Sequence, residues 1–256
     1  MTPNVPERWW TELYDELMAE MILVRRDPAH TRQTIDFLMA CLQLAPGARV
    51  FDQCCGIGSL AVPLAQRGFE VVAVDLMPDY LERARRRAAA ASVPLALHLA
   101  DAVRFVPRRP VEGALNWNTS FGYFARDDDN LGMLRCGYAA LVSGGHYALD
   151  FMNVPQVLAE FRPRVVTPRE TVYGRVVLTR DSAVEPDQRA MRKTWSYALP
   201  DGAERVYRSR VRLYRPEQLR ALFEAAGFVD ITCFGDVDGR PLSDLSPRCV
   251  VVGRKP

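Results

Sequence analysis

The sequence lacks an excess of charge of either sign: lysine and arginine total 33, aspartate and glutamate 31, for a net charge of +2. A polyanion binder carries a basic stripe or patch, so no nucleic-acid partner is expected. Long hydrophobic runs are also missing. None approaches the roughly 18 residues that would cross a bilayer, and the opening MTPNVPERWWTELYDELM has no basic segment leading into a continuous apolar one. These absences predict a cytoplasmic protein with no membrane partner. Histidine is scarce, and of His30, His98 and His146 the last two fall in predicted strands near the core, where packed or hydrogen-bonded imidazoles are the plainer reading. The six cysteines lack the paired spacing of a zinc site or a disulfide framework. Cys54 and Cys55 are adjacent, but neighbours on an extended chain point in opposite directions. Free thiols and no metal are expected.

What is present is an alternation of strands and helices. At 256 residues and 48% apolar composition the chain suits one large domain, with or without an insertion. Residues 7–26 and 29–44 carry apolar side chains at helical spacing, among them Trp10, Leu13, Leu17 and Met21, then Ile35, Leu38 and Leu42. ARVFDQC then reads as a buried strand, GSLAVPLAQRG as a helix ended by Gly68, and FEVVAVDL as a second strand. The pattern repeats with a helix over 79–91, strands LALHLA and EGALNWNT, a helix over about 128–141 and a strand GGHYALDF. Strands alternating with helices predict an α/β fold with a parallel sheet. After Pro163 the period changes: ETVYGRVVLTRDSAV, MRKTWSYALP and ERVYRSRVRLY read as three β-rich stretches of an antiparallel meander. A helix PEQLRALFEAAGF follows, then strands VDITCFGDV and RCVVVGR, joined by a loop too short for a crossover helix and so predicted to form an antiparallel hairpin at a sheet edge.

The stretch Val50-Phe-Asp-Gln-Cys-Cys-Gly-Ile-Gly-Ser-Leu-Ala61 runs from a strand through a glycine-bearing turn into a helix. Gly56 and Gly58 permit positive φ and close approach of a nucleotide-like ligand. Taken alone, Gly56-x-Gly58-x-x-Ala61 with Asp75 ending the next strand also fits a dinucleotide site. Two features favour S-adenosylmethionine instead. Asp52 precedes the glycines, where its carboxylate would repel a pyrophosphate but suits a cationic amino group. Asp75 is followed by Leu76 and Met77, which pairs a ribose-binding carboxylate with an apolar wall for adenine.

FDQCCGIGSLAVPLAQRGFEVVAVDLMPDYLERAR resembles the opening cofactor motifs of the class I S-adenosylmethionine-dependent methyltransferases. HLADA at residues 98–102 resembles the third motif, and VRLYRPEQLRALFEAAGFVDI the closing segment. The resemblance implies a Rossmann-like seven-stranded, mostly parallel sheet with an antiparallel last strand. It also implies S-adenosylmethionine as methyl donor and S-adenosylhomocysteine as product. By position, Asp52, Gly56 and Gly58 would hold the amino-acid end, Asp75 the ribose, Leu76 and Met77 the adenine ring, and Asp101 with Ala102 its amino group and edge. Cys54 departs from the family, standing where its first glycine usually lies. Cys54, Asn116 and Asn118 join the expected cofactor-binding set. The implied organisation is a single methyltransferase domain: a helical cap over 1–46, a core over 47–162 and 215–256, and a β insertion over 163–214.

Methyl transfer from a sulfonium needs alignment and desolvation more than a strong base. Ligands on open α/β sheets bind beyond the carboxyl ends of the strands, which selects Asn116 to Tyr123 after one strand and Asp150 to Asn153 after the next. Tyr14, Tyr123 and Asp150 are the catalytic candidates, and Trp10, Phe121 and Asn153 the acceptor-binding ones. Phe121 and Tyr123 either face the sulfonium through cation–π attraction or pack their loop. Methyltransferases similar to this chain, notably antibiotic-pathway amino-sugar and other amine N-methyltransferases, offer a tyrosine from an N-terminal helix, which points to Tyr14. With no dedicated base or metal cluster in view, nitrogen of a small molecule is the preferred acceptor over oxygen or carbon. An NAD(P)-dependent oxidoreductase is the competing enzyme and a nucleotide-binding module the competing non-enzyme, although no Tyr-x-x-x-Lys occurs. Of the arginines in the meander, solvated side chains are the default and a carboxylate or phosphate site the alternative. Monomer and homodimer both fit.

Overall fold

The computed structural model describes residues 5–256; Met1–Asn4, the front of the opening segment considered above, lie outside the described residues. Two short helices, α1 (Trp10–Leu13) and α2 (Glu16–Met18), lead into a π-helical segment, Ala19–Leu23. The single helix expected over 7–26 is thus broken, because the Asp15 carboxylate accepts the Met18 N–H at 2.9 Å and starts a new helix. Asp15 also accepts the Tyr207 hydroxyl at 2.7 Å, which anchors the break to the second sheet and leaves Tyr14 at the corner.

Helix α3 (Pro28–Cys41), capped by Asp27, precedes the alternating unit: β1 (Arg49–Gln53), α4 (Ala61–Gln66), β2 (Glu70–Asp75), α5 (Pro78–Ala90), β3 (Ala96–Leu99), β4 (Val111–Asn116), α6 (Asp127–Ala140), β5 (Leu141–Met152) and a short α7 (Val154–Ala159) not foreseen from sequence. Next come β6 (Arg164–Thr171), β7 (Gly174–Val184), β8 (Ala190–Ala198) and β9 (Glu204–Arg212), then α8 (Pro216–Ala226), β10 (Val229–Phe234) and β11 (Arg248–Arg254). One sheet has seven strands in the order β10-β11-β5-β4-β1-β2-β3. Only β11 runs antiparallel, to β5 on one side and β10 on the other, so the expected hairpin exists, with β10 as the outer strand.

The second sheet is β6-β7-β8-β9, all antiparallel. Its four strands correct the three expected stretches. The run beginning at Glu170 contains a tight turn in which Thr171 pairs with Gly174, and Gly174 takes φ +88°, a left-handed conformation open to glycine. The strand before that turn contains Pro168, which sequence logic counts against a strand but which an edge strand tolerates.

Alternation along β1 builds the core. Val50 packs into the cluster on one face of the large sheet and Phe51 into the cluster on the other. The chain proceeds from β1 outward to β2 and β3, then returns to β4 on the opposite side of β1. That reversal leaves a crevice at the carboxyl ends of β1 and β4, where ligands settle on such sheets. Among the described residues no helix is long and apolar enough to cross a membrane.

Candidate active site

Beyond those strand ends lie two chambers that share part of their walls. The larger, of about 680 Å³, is lined by Tyr14, Cys54, Gly56, Asp75, Leu76, Met77, Asp101, Ala102 and Tyr123 with Trp10, Leu23, Tyr80, Ser120, Phe124 and Met133. The smaller, of about 370 Å³, contains Asp52, Asn118, Trp117 and Ser59 and shares Leu23, Cys54, Gly56 and Ser120 with the first. Among the described residues, no lysine, arginine or histidine lines either one.

Asp52, near the end of β1, is 3% exposed. Burial, reinforced by repulsion from Asp75, pushes its carboxyl up to about 7 from an ordinary 3.8. No ion pair among the described residues includes it. Asp75 ends β2 and accepts the Gly56 N–H at 2.8 Å and the Met77 N–H at 2.9 Å, while burial raises its pKa despite those bonds. The turn between them is tight. Gly56 has φ +54° and Gly58 φ +72°, and a Cβ on Gly58 would lie 3.1 Å from that of Ala84 on α5. Gly58 therefore serves helix packing and lines neither chamber, whereas Gly56 lines both. Cys54, in place of the family's usual glycine, still adopts φ +65°, so the backbone keeps the turn at the expense of local strain.

The roof comes from the N-terminal segment. Trp9, Trp10, Leu13 and Met18 form a cluster against which Tyr14, Leu76, Tyr123 and Phe124 pack. The Tyr14 and Tyr123 hydroxyls are hydrogen-bonded to each other, with ring centres 6.2 Å apart. Burial pushes Tyr14 up to about 12, opposed by the bond to Tyr123, and raises Tyr123 well above its ordinary value. Both stay protonated at neutral pH.

The remaining expected residues lie behind the chambers rather than in them. Asp150 accepts the Asn118 N–H at 2.9 Å and an Arg248 N–H at 2.7 Å, holding a loop in which Asn118 and Thr119 both have positive φ. Asn116 is fully buried and donates to Ser120 O and Met133 Sδ. Phe121 packs against Phe151 and Tyr214. Asn153 donates to the carbonyls of Ser243, Asp244 and Ser246, fixing the loop before β11. Sequence reasoning missed Leu23, Tyr80, Phe124 and Met133. The aromatic argument used for Tyr123 applied equally to Phe124 beside it. Among the described residues no cluster of three or more His, Cys, Asp or Glu side chains could hold a metal.

A family model described as a methyltransferase domain matches residues 50–145. The chain is 30% identical over 206 residues to a glycine/sarcosine N-methyltransferase of Parasynechococcus marenigrum, covering 78% of this chain and 70% of that protein. Other curated relatives align over less: the chain spans 41% of an S-adenosyl-L-methionine-dependent Diels-Alderase of Talaromyces variabilis. Among solved structures, a sugar N-methyltransferase from a Streptoalloteichus species superimposes with TM-score 0.71 at 19% identity, covering 100% of this chain and 96% of that one. An S-adenosylmethionine-bound amino pentose methyltransferase from Micromonospora echinaspora gives TM-score 0.66 at 19% identity over 100% of both chains.

Proposed function

This chain belongs to the S-adenosylmethionine-dependent methyltransferases, and from that premise we propose that it methylates a nitrogen of a small molecule. The observation that carries the proposal is the lining of the two chambers: three aspartates and a cage of aromatic rings, with no cationic side chain. Such a lining opposes a diphosphate and suits a sulfonium and an ammonium.

When bound, S-adenosylmethionine supplies a methyl group on a positively charged sulfur, activated for in-line displacement. Asp52, buried without a cation, is matched to the ammonium of the amino-acid end. Asp75 retains carboxylate lone pairs beyond its two backbone bonds, available to ribose hydroxyls. Leu76, Met77 and Ala102 provide an apolar wall for adenine, and Asp101 an acceptor at its edge. Leu23 and Trp10 close the roof against water.

Tyr14 and Tyr123 present the faces and hydroxyls that an acceptor meets. Because both remain protonated, they position an amine by hydrogen bonding rather than remove a proton from a hydroxyl. An amine arrives with a free lone pair once it has lost its proton to water, so it needs no base here. The N-methyltransferase names of two similar proteins support the same choice. The test is incubation with S-adenosylmethionine carrying a 13C-labelled methyl group and a panel of small amines, phenols and heterocycles, with products read by NMR. N-methyl products are expected; O- or C-methyl products alone would overturn the choice of nitrogen.

A further inference from the structure

Strand alternation sorts the cations of the second sheet by face. Arg180 pairs with Trp195 and Ser182 with Lys193 across β7 and β8, so Arg180, Ser182, Lys193 and Trp195 share the face turned toward the N-terminal helices. On the other face Arg164 lies 3.5 Å from Asp181, and Arg192 and Arg210 lie 2.7 and 2.8 Å from Glu185. On the inward face Arg205 lies 3.6 Å from Asp15. No ion pair among the described residues includes Arg180 or Lys193, and Arg180 Nε is buried without a hydrogen-bond partner.

Both cations lean on one ring, Arg180 Cζ at 5.9 Å and Lys193 Nζ at 5.6 Å from the centre of Trp195. Two like charges held together and partly desolvated destabilise the fold unless an anion joins them. Burial, and then the charge of Arg180, push Lys193 down to about 8. A groove of about 590 Å³ opens over the pair between α7 and the sheet, lined also by Gln156, Glu160, Arg162 and Ser182. Glu160 accepts from Gln156 at 2.9 Å and reaches neither cation. Trp195 packs in turn on the Trp9–Trp10 cluster that roofs the larger chamber.

We propose that Arg180 and Lys193 form an anion subsite in this groove that holds a carboxylate or a phosphate ester. Inorganic phosphate and acetate are titrated into the full chain while the Trp195 indole N–H is followed by NMR, with S-adenosylhomocysteine affinity measured in parallel. At least one anion is expected to shift that signal saturably and to raise Tm. Arg180→Gln and Lys193→Gln should each weaken anion binding about tenfold or more. Each should also raise Tm in anion-free buffer by relieving the like-charge contact, a sign that a merely structural side chain would not produce, and leave S-adenosylhomocysteine affinity unchanged. Saturation by phosphate alone assigns a phosphate ester, by acetate alone a carboxylate, and by both an acidic group of either kind. Absence of any Trp195 response, or equal anion binding by both variants, would overturn the subsite. Loss of S-adenosylhomocysteine binding with anion binding intact would instead strike the cofactor assignment, and O-methyl products alone would strike the nitrogen reading without touching the groove.

Discussion

Asp52→Asn is predicted to make the protein more stable and the cofactor weaker. Buried without a cation, the Asp52 carboxyl is raised from 3.8 to about 7, so the fold favours its protonated form. Stability from that preference is fully present below about pH 4 and is lost as pH rises through 7. The rise corresponds to a penalty on the order of 4 kcal/mol on the free protein above pH 7. Asparagine removes it, and Tm should climb by roughly 10 °C at pH 8 while changing little at pH 4. Binding runs the other way. A charge-assisted hydrogen bond is worth about 1.5–3 kcal/mol, so S-adenosylhomocysteine, which keeps the ammonium, should bind the variant about 10- to 100-fold more weakly. Because the ammonium requires the ionised carboxylate, wild-type affinity should rise about tenfold between pH 6 and pH 8, with proton release on binding below pH 7. Calorimetry in buffers of different ionisation enthalpy reads both quantities. A variant with unchanged affinity and the same pH slope would refute the reasoning.

Tyr14→Phe and Tyr123→Phe should each lower kcat about tenfold or more through lost positioning, with little change in S-adenosylhomocysteine affinity; unchanged turnover would remove the residue from the site. Gly58→Ala forces a left-handed alanine against Ala84 and should lower stability by about 1–3 kcal/mol, read by urea denaturation. Cys54 and Cys55, raised well above ordinary thiols by burial, should resist iodoacetamide at pH 8 until the chain unfolds, as peptide mass spectrometry would report. Arg248→Ala should loosen the Asn118–Thr119 loop by removing a partner of Asp150 and Thr119, weakening S-adenosylhomocysteine severalfold while leaving the fold intact by circular dichroism.

The large sheet was legible because its strands are short apolar runs bounded by glycine and proline, and because Asp52, Gly56 and Asp75 fall at the ends of adjacent strands. The chamber walls beyond them were only partly legible. Leu23 and Tyr80 reach the cavity through the broken N-terminal helix and the first turn of α5, a placement set by tertiary packing that local spacing does not encode. Asp15 shows the same limit: its side chain restarts the helix, but the apolar stripe across it reads as continuous. Phe121, Asp150 and Asn153 occupy the selected strand ends and yet line neither chamber. Strand-end position selects a neighbourhood, and the backbone carbonyls and ion pairs nearby decide which side chains remain free to meet a ligand. Arg180 and Lys193 were indistinguishable in sequence from the solvated arginines around them. What separates them is their shared place over the Trp195 ring, set by the register that pairs β7 and β8, with no carboxylate in reach among the described residues.

The central claim is that the chambers accept a positively charged nucleoside without phosphate. Competition calorimetry with S-adenosylhomocysteine and NADH on the full chain tests it directly. Saturable binding of S-adenosylhomocysteine that a large excess of NADH does not displace is expected; NADH binding in its place would overturn the cofactor assignment.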